Sequence, residues 1–525
     1  MKYDAIVTGA GLGGLTAGAK LAKEGKMVLL IEQRSKPGGC ATTFRRKGFI
    51  VEVGLHEMDG LDKGDPKTDI FQDLGVFDNV DFVRVPEFYR YANPRVDIVV
   101  PDDYQKAIDV LVKRFPHEAK GIRKFFKVIL SLRKEMNKLP REKWKLLVQL
   151  PLFPVLYRNM VFRENQTLGR LLDSIIRDED LKLVLLANLN YYHDDPYTMS
   201  LLYYAGGQGS YFSGGGHFVK GGSQKLSDCL AEVIKKNRGE VILKHIVASI
   251  ITENNKAVGV RYRKKSGSEE EILEAYGNCI IANAAIPNVA NDLLPPSESR
   301  NKLASAVSQL EVAPSIISVY LGFRRPPRDM GNMHYSTFVS GEDVSSMSDF
   351  AKNTKGDISK RGFVFADYSQ IDSGLAPQGK AVGVICAMDY LADWENLERE
   401  EYKAKKEMVA QMFIDRLDKV IPGIKDEIEY YEVGTPKTIK RYTLNPAGTA
   451  YGFAQIPRQA GRKRIQQKSP IENLYFASAW TMPGHGFSGA ILSGYWCAEE
   501  IGFRQRAFWT QVFAKPPKMM PGNRK

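Results

Sequence analysis

The feature that most constrains this chain is a glycine-rich pattern at its start that has a counterpart near the opposite end. Residues 3–39 read YDAIVTGAGLGGLTAGAKLAKEGKMVLLIEQRSKPGG, and residues 474–494 read LYFASAWTMPGHGFSGAILSG. The first stretch predicts strand, glycine turn, helix and strand, the order that holds a dinucleotide. The second predicts a glycine-rich turn that leads into a helix. A ligand that needs both ends of a 525-residue chain is large.

The N-terminal stretch predicts a dinucleotide cradle. The apolar run Ala5–Val7 predicts a buried parallel strand, and the pattern G-x-G-x-x-G follows it directly. The first glycine allows a tight turn, the second lets the backbone approach a diphosphate, and the third allows the helix to pack on the strand. The helix, from about Gly14 to Glu24, would offer free N–H groups to the diphosphate. The candidate binding residues here are Gly9, Gly11, Leu12, Gly13 and Gly14.

The continuation of the cradle favours FAD over NAD or NADP. A second strand, Val28–Ile31, ends in Glu32, where an acidic side chain would bind ribose hydroxyls and repel the extra phosphate of NADP. A second glycine pair follows, and a loop of this kind lets the backbone approach the diphosphate and ribityl chain of a flavin. Simple NAD domains do not usually carry it. The candidate FAD-binding residues in this part are Glu32, Gln33, Gly38, Gly39, Cys40, Thr43 and Arg45.

Three separated segments carry a resemblance to a known superfamily. The run GGCATTFRRKGFIVEVGLH resembles the phytoene desaturases, carotenoid isomerases and retinol saturases, which are FAD-dependent and akin to the amine oxidases. The segments GGHFVKGGSQKLSDCLAEVIKKNRGEVIL and LYFASAWTMPGHGFSG are similar to the central and C-terminal segments of the same superfamily. The resemblance implies an α/β fold with a Rossmann-type, glutathione-reductase-like FAD-binding domain. That domain would be assembled from discontinuous segments, beside an α+β substrate domain with a mixed sheet and helices.

The three segments divide the chain. We expect residues 1–85, 205–300 and 455–505 to form the FAD-binding domain. Residues 86–204 and 301–454 would form the substrate domain, and 506–525 a basic C-terminal tail. Apolar runs predict buried strands at Ser315–Leu321 and Ala381–Cys386, and helical patterns cover Gln224–Lys236 and Lys403–Val420.

The resemblance also implies roles for individual residues. The backbone at Val247 would contact adenine, and Asn283 would return the chain to the flavin site. Phe487 and Ser488 would contact the isoalloxazine ring, because they lie at the start of the C-terminal helix, and Ala479 is a further candidate FAD-binding residue. His56 would lie near the ring and is the candidate catalytic proton donor; a hydrogen-bonded structural histidine is the equal alternative. The chain departs from the superfamily pattern at Cys40, Glu52, Ser478 and Ala479, where relatives have Arg, Asp, Gly and, in amine oxidases, an acidic residue.

Several functions remain open at this stage. The leading one is an FAD-dependent oxidoreductase that saturates or desaturates carbon–carbon bonds of a long apolar polyene, isoprenoid or related lipid. The second is a flavin-dependent cis/trans isomerase of such a polyene, and the third a non-enzymatic, membrane-associated flavoprotein. An amine oxidase or a protoporphyrinogen oxidase is a further possibility. Ala479 disfavours the amine oxidase. His485 is a second candidate proton donor, and Tyr451 a candidate wall of the site.

Aromatic residues and charge suggest two further features. Tyrosine and phenylalanine cluster between residues 191 and 212, as core packing or as a tunnel lining. The net charge of +13 is concentrated in two basic and aromatic stretches. Residues 118–164 hold 12 Lys and Arg against 4 Asp and Glu, and residues 504–525 hold 6 against none. Such stretches are typical of segments that lie in a bilayer interface, so we expect peripheral membrane association and no nucleic-acid partner.

The remaining expectations follow from composition. The 5 cysteines have no C-x-x-C spacing, which favours reduced thiols and a cytoplasmic location. The 7 histidines form no metal-binding pattern, and we expect no metal. We expect no signal peptide, because the first strand begins almost at the start. The partners would be a hydrophobic small molecule and an electron donor or acceptor that the sequence does not identify. The motifs identify neither the direction of the reaction nor the substrate.

Overall fold

The structure is a computed structural model that describes residues 2–140, 143–266 and 271–513, without the side chains of 143–144 and 503–513. A parallel five-stranded sheet lies beside the dinucleotide loop. Four of its strands are apolar and almost fully buried, as expected for a sheet covered on both faces, and the edge strand Glu240–Ile242 is more exposed. In spatial order they are Glu240–Ile242, Val28–Ile31, Ala5–Thr8, Ile280–Ala282 and Leu474–Phe476. Four separate stretches of the chain therefore build one sheet.

Three helices pack beside this sheet: Leu12–Lys23, Gln224–Lys236 and Gly486–Phe513. A four-stranded sheet has the order Lys2–Tyr3, Leu273–Gly277, Lys256–Lys264, His245–Glu253. A three-stranded sheet has the order Met58–Asp59, Gly216–Val219, Phe82–Arg84. A hairpin pairs Thr43–Arg46 with Phe49–Glu52.

A mixed seven-stranded sheet forms the second half of the molecule. Its spatial order is Ile428–Gly434, Ser315–Phe323, Ala381–Asp389, Phe363–Asp367, Ser336–Val339, Tyr89–Ala92 and Asp97–Val100. The pair of Ser336–Val339 with Tyr89–Ala92 is parallel and the other pairs are antiparallel. The helix Arg399–Val420 covers one face, where its Phe413 and Leu417 join the core formed with Ile317 and Phe365.

The remaining α-helices surround the two large sheets. Many of them are held at the start by a side-chain cap, such as Asp65, Asp103, Thr167 and Ser297, each of which accepts a hydrogen bond from a backbone N–H. They are Pro66–Leu74, Tyr104–Arg114, Ala119–Lys138, Lys143–Gln149, Phe153–Leu156, Arg158–Arg163, Leu168–Ile175, Glu179–Leu185, Leu201–Gly214, Ile286–Asn288, Glu298–Ser308, Met347–Lys355 and Pro436–Thr443.

The predicted fold class is confirmed, with small shifts at element ends. The first helix begins at Leu12 rather than Gly14, and the helix predicted from Lys403 begins at Arg399, where Glu398 and Glu401 form a capping box. The strand predicted to end at Leu321 continues to Phe323. The domain boundaries stay a prediction. Those after residues 204 and 505 each fall inside a helix, Leu201–Gly214 and Gly486–Phe513.

Candidate active site

The first glycine loop lies where the parallel strands end. Gly9 has φ +97°, which a residue with a side chain adopts only with strain. Gly11 precedes the helix Leu12–Lys23, whose N-terminus has no side-chain cap, so its first N–H groups are available to bind an anionic group. Asn283 closes the loop from the neighbouring strand, because its Nδ2 donates to the Gly9 oxygen at 3.0 Å. A Cβ on Gly11 would lie only 2.8 Å from that Nδ2.

The other two glycines of the loop bring helices together. A Cβ on Gly14 would overlap the Gly9 oxygen, and one on Gly13 would overlap the oxygen of Ala477, just after the last strand of the sheet. A Cβ on Gly494, in the C-terminal helix, would overlap the oxygen of Gly13. The glycines therefore let the two ends of the chain meet at the same loop.

The predicted ribose and adenine residues lie together. The Glu32 carboxylate is buried and accepts the N–H groups of Ala10 at 2.7 Å and Arg34 at 2.8 Å. Burial raises the pKa of Glu32, and these two hydrogen bonds oppose the rise. The strand that carries Val247 begins beside Glu32, where the His245 backbone N–H donates to the backbone carbonyl oxygen of Glu32 at 3.0 Å. Gln33 accepts a hydrogen bond from Lys265 at 2.8 Å.

The second glycine pair lies directly against the first loop. Gly38 donates its N–H to the Ala10 oxygen at 2.6 Å, and a Cβ on Gly39 would lie 3.2 Å from the Cα of Gly11. The next residue, Cys40, is exposed, and desolvation by the surrounding protein raises the pKa of its thiol. The methyl group of Thr43 packs against Gly222, and Arg45 is exposed on the hairpin.

Four tyrosines hold the segment Val53–Glu57, which contains His56. Each phenol donates to a backbone oxygen of this segment, and we call the group the tyrosine clamp. Its members are Tyr320 to Val53 at 3.1 Å, Tyr368 to Leu55 at 2.9 Å, Tyr335 to His56 at 2.5 Å and Tyr211 to Glu57 at 3.4 Å. Buried phenols need such acceptors, and buried carbonyls need such donors, so the contacts fix the backbone on which the imidazole stands.

The His56 side chain contacts Tyr191. The His56 Nδ1 lies 2.9 Å from the Tyr191 hydroxyl, and their ring centroids are 5.5 Å apart. Burial lowers the pKa of His56 to about 4, so the imidazole is neutral at pH 7. Burial also raises the pKa of Tyr191 well above its ordinary value, and the phenol keeps its proton. The other side of the Tyr191 ring packs edge-on against Phe338 at 5.4 Å.

Glu57 is a buried acid whose two carboxyl oxygens have no hydrogen-bond partner among the described residues. Burial raises its pKa well above 4.5, and the nearby charges of Glu87, Asp102 and Asp59 raise it further. The carboxyl is therefore held in its neutral form over a wider pH range than an exposed one. No motif in the sequence indicates a special role for Glu57.

The C-terminal loop completes the site. The His485 ring lies between those of Tyr203 and Tyr451, at 4.9 and 4.8 Å. Ala479 precedes His485 in the chain and Phe487 follows it, and the helix begins at Gly486, which is exposed with no atom within 4 Å of its Cβ position.

The predicted flavin contact Ser488 has a partner within the protein. It donates to Asp59 at 2.5 Å, and Lys67 lies 3.1 Å from the same carboxylate. Burial alone would raise the pKa of Asp59, but Lys67 and the Ser488 hydroxyl lower it to about 2. The serine side chain therefore ties the start of the C-terminal helix to the strand Met58–Asp59.

The aromatic cluster of residues 191–212 has two roles. Tyr192, Tyr204, Tyr211 and Phe212 are buried in the core, and Tyr197 is exposed. Tyr191, by contrast, contacts His56. The sequence had no signal for Tyr320, Tyr335 and Tyr368, because they come from distant strands and turns and no spacing relates them to His56.

The first basic stretch separates into a core helix and an exposed surface. In Ala119–Lys138, Phe125, Phe126 and Ile129 are buried, as in an ordinary amphipathic helix. The following residues form what we call the apolar patch, whose large side chains are 38–76% exposed. Its members are Leu147, Val148, Leu150, Leu152, Val155, Leu156, Val161 and Phe162.

The side chains of the second basic stretch, residues 504–525, lie outside the described residues. From residue 504 onward the structure gives a helical backbone to Phe513, and the side chains that carried this prediction lie outside the described residues. Within the described part, no helix has the length and apolar character needed to cross a bilayer. The same part holds no cluster of three or more His, Cys, Asp or Glu that could bind a metal.

Comparisons with known proteins agree with this geometry. The sequence pattern of the family described as flavin containing amine oxidoreductase matches residues 12–502. Prolycopene isomerase of Daucus carota is 28% identical over 95% of this chain and 80% of that protein. All-trans-retinol 13,14-reductase of Danio rerio is 26% identical over 99% and 89%. Phytoene desaturase (neurosporene-forming) of Rhodobacter capsulatus is 25% identical over 95% and 93%. The fold is similar to the crystal structure of an oxidoreductase from Methanosarcina mazei, with a TM-score of 0.60 at 18% identity over 96% and 100% of the two chains.

Proposed function

Because the chain belongs to the family of flavin-containing amine oxidoreductases, and its cofactor is FAD, we propose that it acts on carbon–carbon bonds of a long apolar substrate. The substrate class is a polyene, an isoprenoid or a related lipid. Relatives that match nearly the whole chain are named for prolycopene, retinol and phytoene, which supports this class. The reaction is saturation or desaturation by hydride exchange.

The observation that carries the proposal is the neutral, phenol-rich environment of His56. Its imidazole is uncharged at pH 7, its partner is Tyr191, and the neighbouring acid Glu57 has a pKa raised by burial. A site that binds an ammonium group through an ion pair needs an anion beside it. The uncharged His56 and Glu57, whose pKa is raised by burial, do not favour such a pair, so the site beside Phe338 suits a hydrocarbon chain.

The residues of the cradle fit FAD, and we propose that they bind it. The uncapped helix at Leu12 would hold the diphosphate, and Glu32 would accept ribose hydroxyls. The fit is supported by the glycines, since a Cβ at Gly11 or Gly13 would close the approach. Ala479 and Phe487 would lie beside the ring, near the N-terminus of the C-terminal helix.

FAD, when bound, exchanges a hydride at its N5 with one carbon of the substrate. The chain must then move a proton at the adjacent carbon, and its neutral His56 is a poor acid for that step. We assign the proton to the Tyr191 hydroxyl, with His56 Nδ1 as its hydrogen-bond partner at 2.9 Å. In desaturation the proton passes from the carbon to the Tyr191 oxygen while the phenolic proton moves to His56. In saturation the Tyr191 hydroxyl gives its own proton to the carbon, and the phenolate is reprotonated from water, because the neutral His56 has no extra proton to pass on. The tyrosine clamp keeps the pair aligned.

A flavin-dependent cis/trans isomerase of a polyene is the second candidate. The observation that favours it is the match to prolycopene isomerase over 95% of this chain. The same apolar, neutral site would serve both activities, since neither needs a charged substrate group. The two differ in whether the flavin changes its redox state over a full turnover.

An anaerobic absorbance spectrum of the flavin separates these functions. Oxidised and photoreduced protein would each be mixed, in detergent or liposomes, with a panel of polyenes and unsaturated lipids. Reoxidation of the reduced flavin with a saturated product identifies a saturase, and bleaching of the oxidised flavin identifies a desaturase. A cis/trans change without net flavin turnover identifies the isomerase. A purified protein without flavin contradicts the whole proposal.

The apolar patch supports a proposal about location: the protein lies on the surface of a membrane. Eight large apolar side chains are exposed within residues 147–162, more than a soluble surface normally places together. The stretch 118–164 also carries a net charge of +8, which attracts anionic lipids by about 1 kcal/mol per basic residue near the surface. A long apolar substrate would reach such a protein from the bilayer.

A further inference from the structure

Arg464 is a buried cation that has no carboxylate partner among the described residues. Its side chain is 2% exposed. The guanidinium donates to three backbone oxygens: Phe453 at 3.1 Å, Ala479 at 2.8 Å and Thr481 at 3.0 Å. Three carbonyl dipoles compensate a full charge only in part, and burying a charge without an anion costs several kcal/mol.

These three oxygens belong to two segments that carry candidate residues of the site. Phe453 follows Tyr451, and Ala479 and Thr481 precede His485 in the C-terminal loop. The Tyr451 and His485 rings are 4.8 Å apart, so the two segments meet at that point. Arg464 therefore holds together these two segments, one of which is the loop that leads to the start of the C-terminal helix.

The charge of Arg464 acts on its surroundings. Burial lowers the pKa of His485 well below its ordinary value, and the positive charge of Arg464 lowers it further. Burial lowers the pKa of Arg464 itself to about 10, so the guanidinium is still charged at pH 7. The other titratable group near it is Tyr203, whose hydroxyl donates to the His485 oxygen at 3.0 Å and remains protonated. No described group near Arg464 therefore supplies a negative charge.

We propose that Arg464 is the positive charge that stabilises the reduced flavin and so sets its reduction potential. The inference rests on the proposed function, since it needs FAD at this loop. Reduction of the isoalloxazine ring adds electron density to it, and a fixed cation behind the loop lowers the energy of that state. The N-terminal dipole of the C-terminal helix acts in the same direction. Arg464 contributes through its charge, and its three hydrogen bonds position the loop.

The test is a set of three variants measured by redox titration of the FAD-bound protein against reference dyes. Arg464→Met removes the charge, Arg464→Lys keeps it but cannot reach all three oxygens, and Arg462→Met is the control. Arg462 lies two residues away and is exposed, paired with Glu164, so its loss changes the net charge equally. Thermal unfolding of each variant reports the loop-positioning role separately.

We expect Arg464→Met to disfavour reduction on the order of tenfold, a shift of about 30 mV for a two-electron couple. Arg464→Lys should keep a potential near that of the wild type while its unfolding temperature falls, and Arg462→Met should change neither. An Arg464→Met protein that retains FAD at an unchanged potential overturns the inference. If Arg464→Met does not fold, the test rests on Arg464→Lys. A reduction potential of Arg464→Lys that falls together with its unfolding temperature shows that Arg464 only positions the loop, and overturns the inference. A wild-type protein without FAD would overturn the proposed function instead.

Discussion

A side chain on Gly494 would overlap the carbonyl oxygen of Gly13, because the C-terminal helix crosses the first helix at that point. The dinucleotide loop thus includes a wall that is supplied from the far end of the chain. Gly13 in turn leaves no room for a Cβ beside the oxygen of Ala477. The close approach places the third turn of the C-terminal helix against the first helix, directly after the loop that would hold the diphosphate.

This contact predicts the effect of Gly494→Ala. The added methyl group must push the two helices apart, and overpacking of this kind costs about 1–3 kcal/mol. We expect a lower free energy of unfolding in urea and a lower FAD content after purification. Gly206→Ala is the matched control: it also lies in a helix, but its Cβ would meet only Met136 at 3.6 Å. A Gly494→Ala protein with wild-type stability and FAD content would contradict the contact.

The tyrosine clamp predicts the effect of Tyr335→Phe. Loss of the phenol leaves the buried His56 oxygen without its donor, which costs about 1–3 kcal/mol of unfolding free energy. The same loss removes one restraint on the imidazole, so activity should fall although the catalytic side chains are intact. Tyr276→Phe, whose hydroxyl bonds Glu274 at an exposed site, should change neither quantity. Urea unfolding and a turnover assay measure the two effects.

The Tyr191–His56 pair predicts a large kinetic effect with no loss of cofactor. Tyr191→Phe removes the proton that the reaction needs, and general acid–base steps contribute typically about 10²–10⁴-fold to a rate. We expect turnover to fall by at least about 10²-fold. The imidazole has a pKa of about 4, so the wild-type rate should show no histidine ionisation between pH 6 and 8. The exposed neighbour Tyr197 supplies the control, Tyr197→Phe, and equal activity of both variants would remove Tyr191 from the mechanism.

Glu57 predicts a pH dependence of stability. Its folded pKa is raised above the unfolded value, so the stability it contributes is present below about pH 4.5 and is lost as the pH rises through the folded pKa. Over that window the loss approaches about 1.4 kcal/mol per pH unit. Glu57→Gln should therefore gain stability over the wild type as the pH increases from 5 to 8, measured by urea unfolding at each pH. Glu274→Gln, at an exposed site, should keep the wild-type slope, and parallel curves for wild type and Glu57→Gln would refute the buried-acid assignment.

The apolar patch predicts lipid binding that a double substitution abolishes. Val155→Asp with Phe162→Asp places two charges on side chains that are 76% and 74% exposed, so the fold should tolerate them. We expect the wild type to float with vesicles that contain anionic lipid, less so at high salt, and the variant to remain below. Met408→Asp is the control, because Met408 is 57% exposed on the helix Arg399–Val420. Flotation of the double variant at the wild-type level would exclude the patch as the membrane contact.

The local pattern of the sequence predicted the cradle because each of its parts is contiguous. The glycines, the strand Val28–Ile31 and Glu32 follow one another, and the helix Gln224–Lys236 has a complete amphipathic period. Two strands of the parallel sheet, Ala5–Thr8 and Val28–Ile31, were also recognisable, since a strand buried on both faces is a short run of apolar residues. The fold class followed from these elements together with the resemblance.

The residues that surround His56 could not be predicted in the same way. Tyr320, Tyr335 and Tyr368 meet it only because the mixed sheet and its turns bring them to the segment Val53–Glu57. Arg464 and Glu57 owe their properties to burial, which one sequence does not report. The apolar residues between 118 and 162 were read as one stretch, but those of Ala119–Lys138 face the core and those of the apolar patch face outward.

The edge strand Leu474–Phe476 also bears on how the protein is made. It is the last of the five strands in the chain, and its neighbour Ile280–Ala282 leaves the ribosome long before it. Until that strand and the C-terminal helix emerge, the nascent chain has an open sheet edge and a dinucleotide loop that lacks one wall. The dinucleotide loop therefore becomes complete only after this strand and the helix that follows it have been made, and a chain that stops before them would lack one wall of the loop.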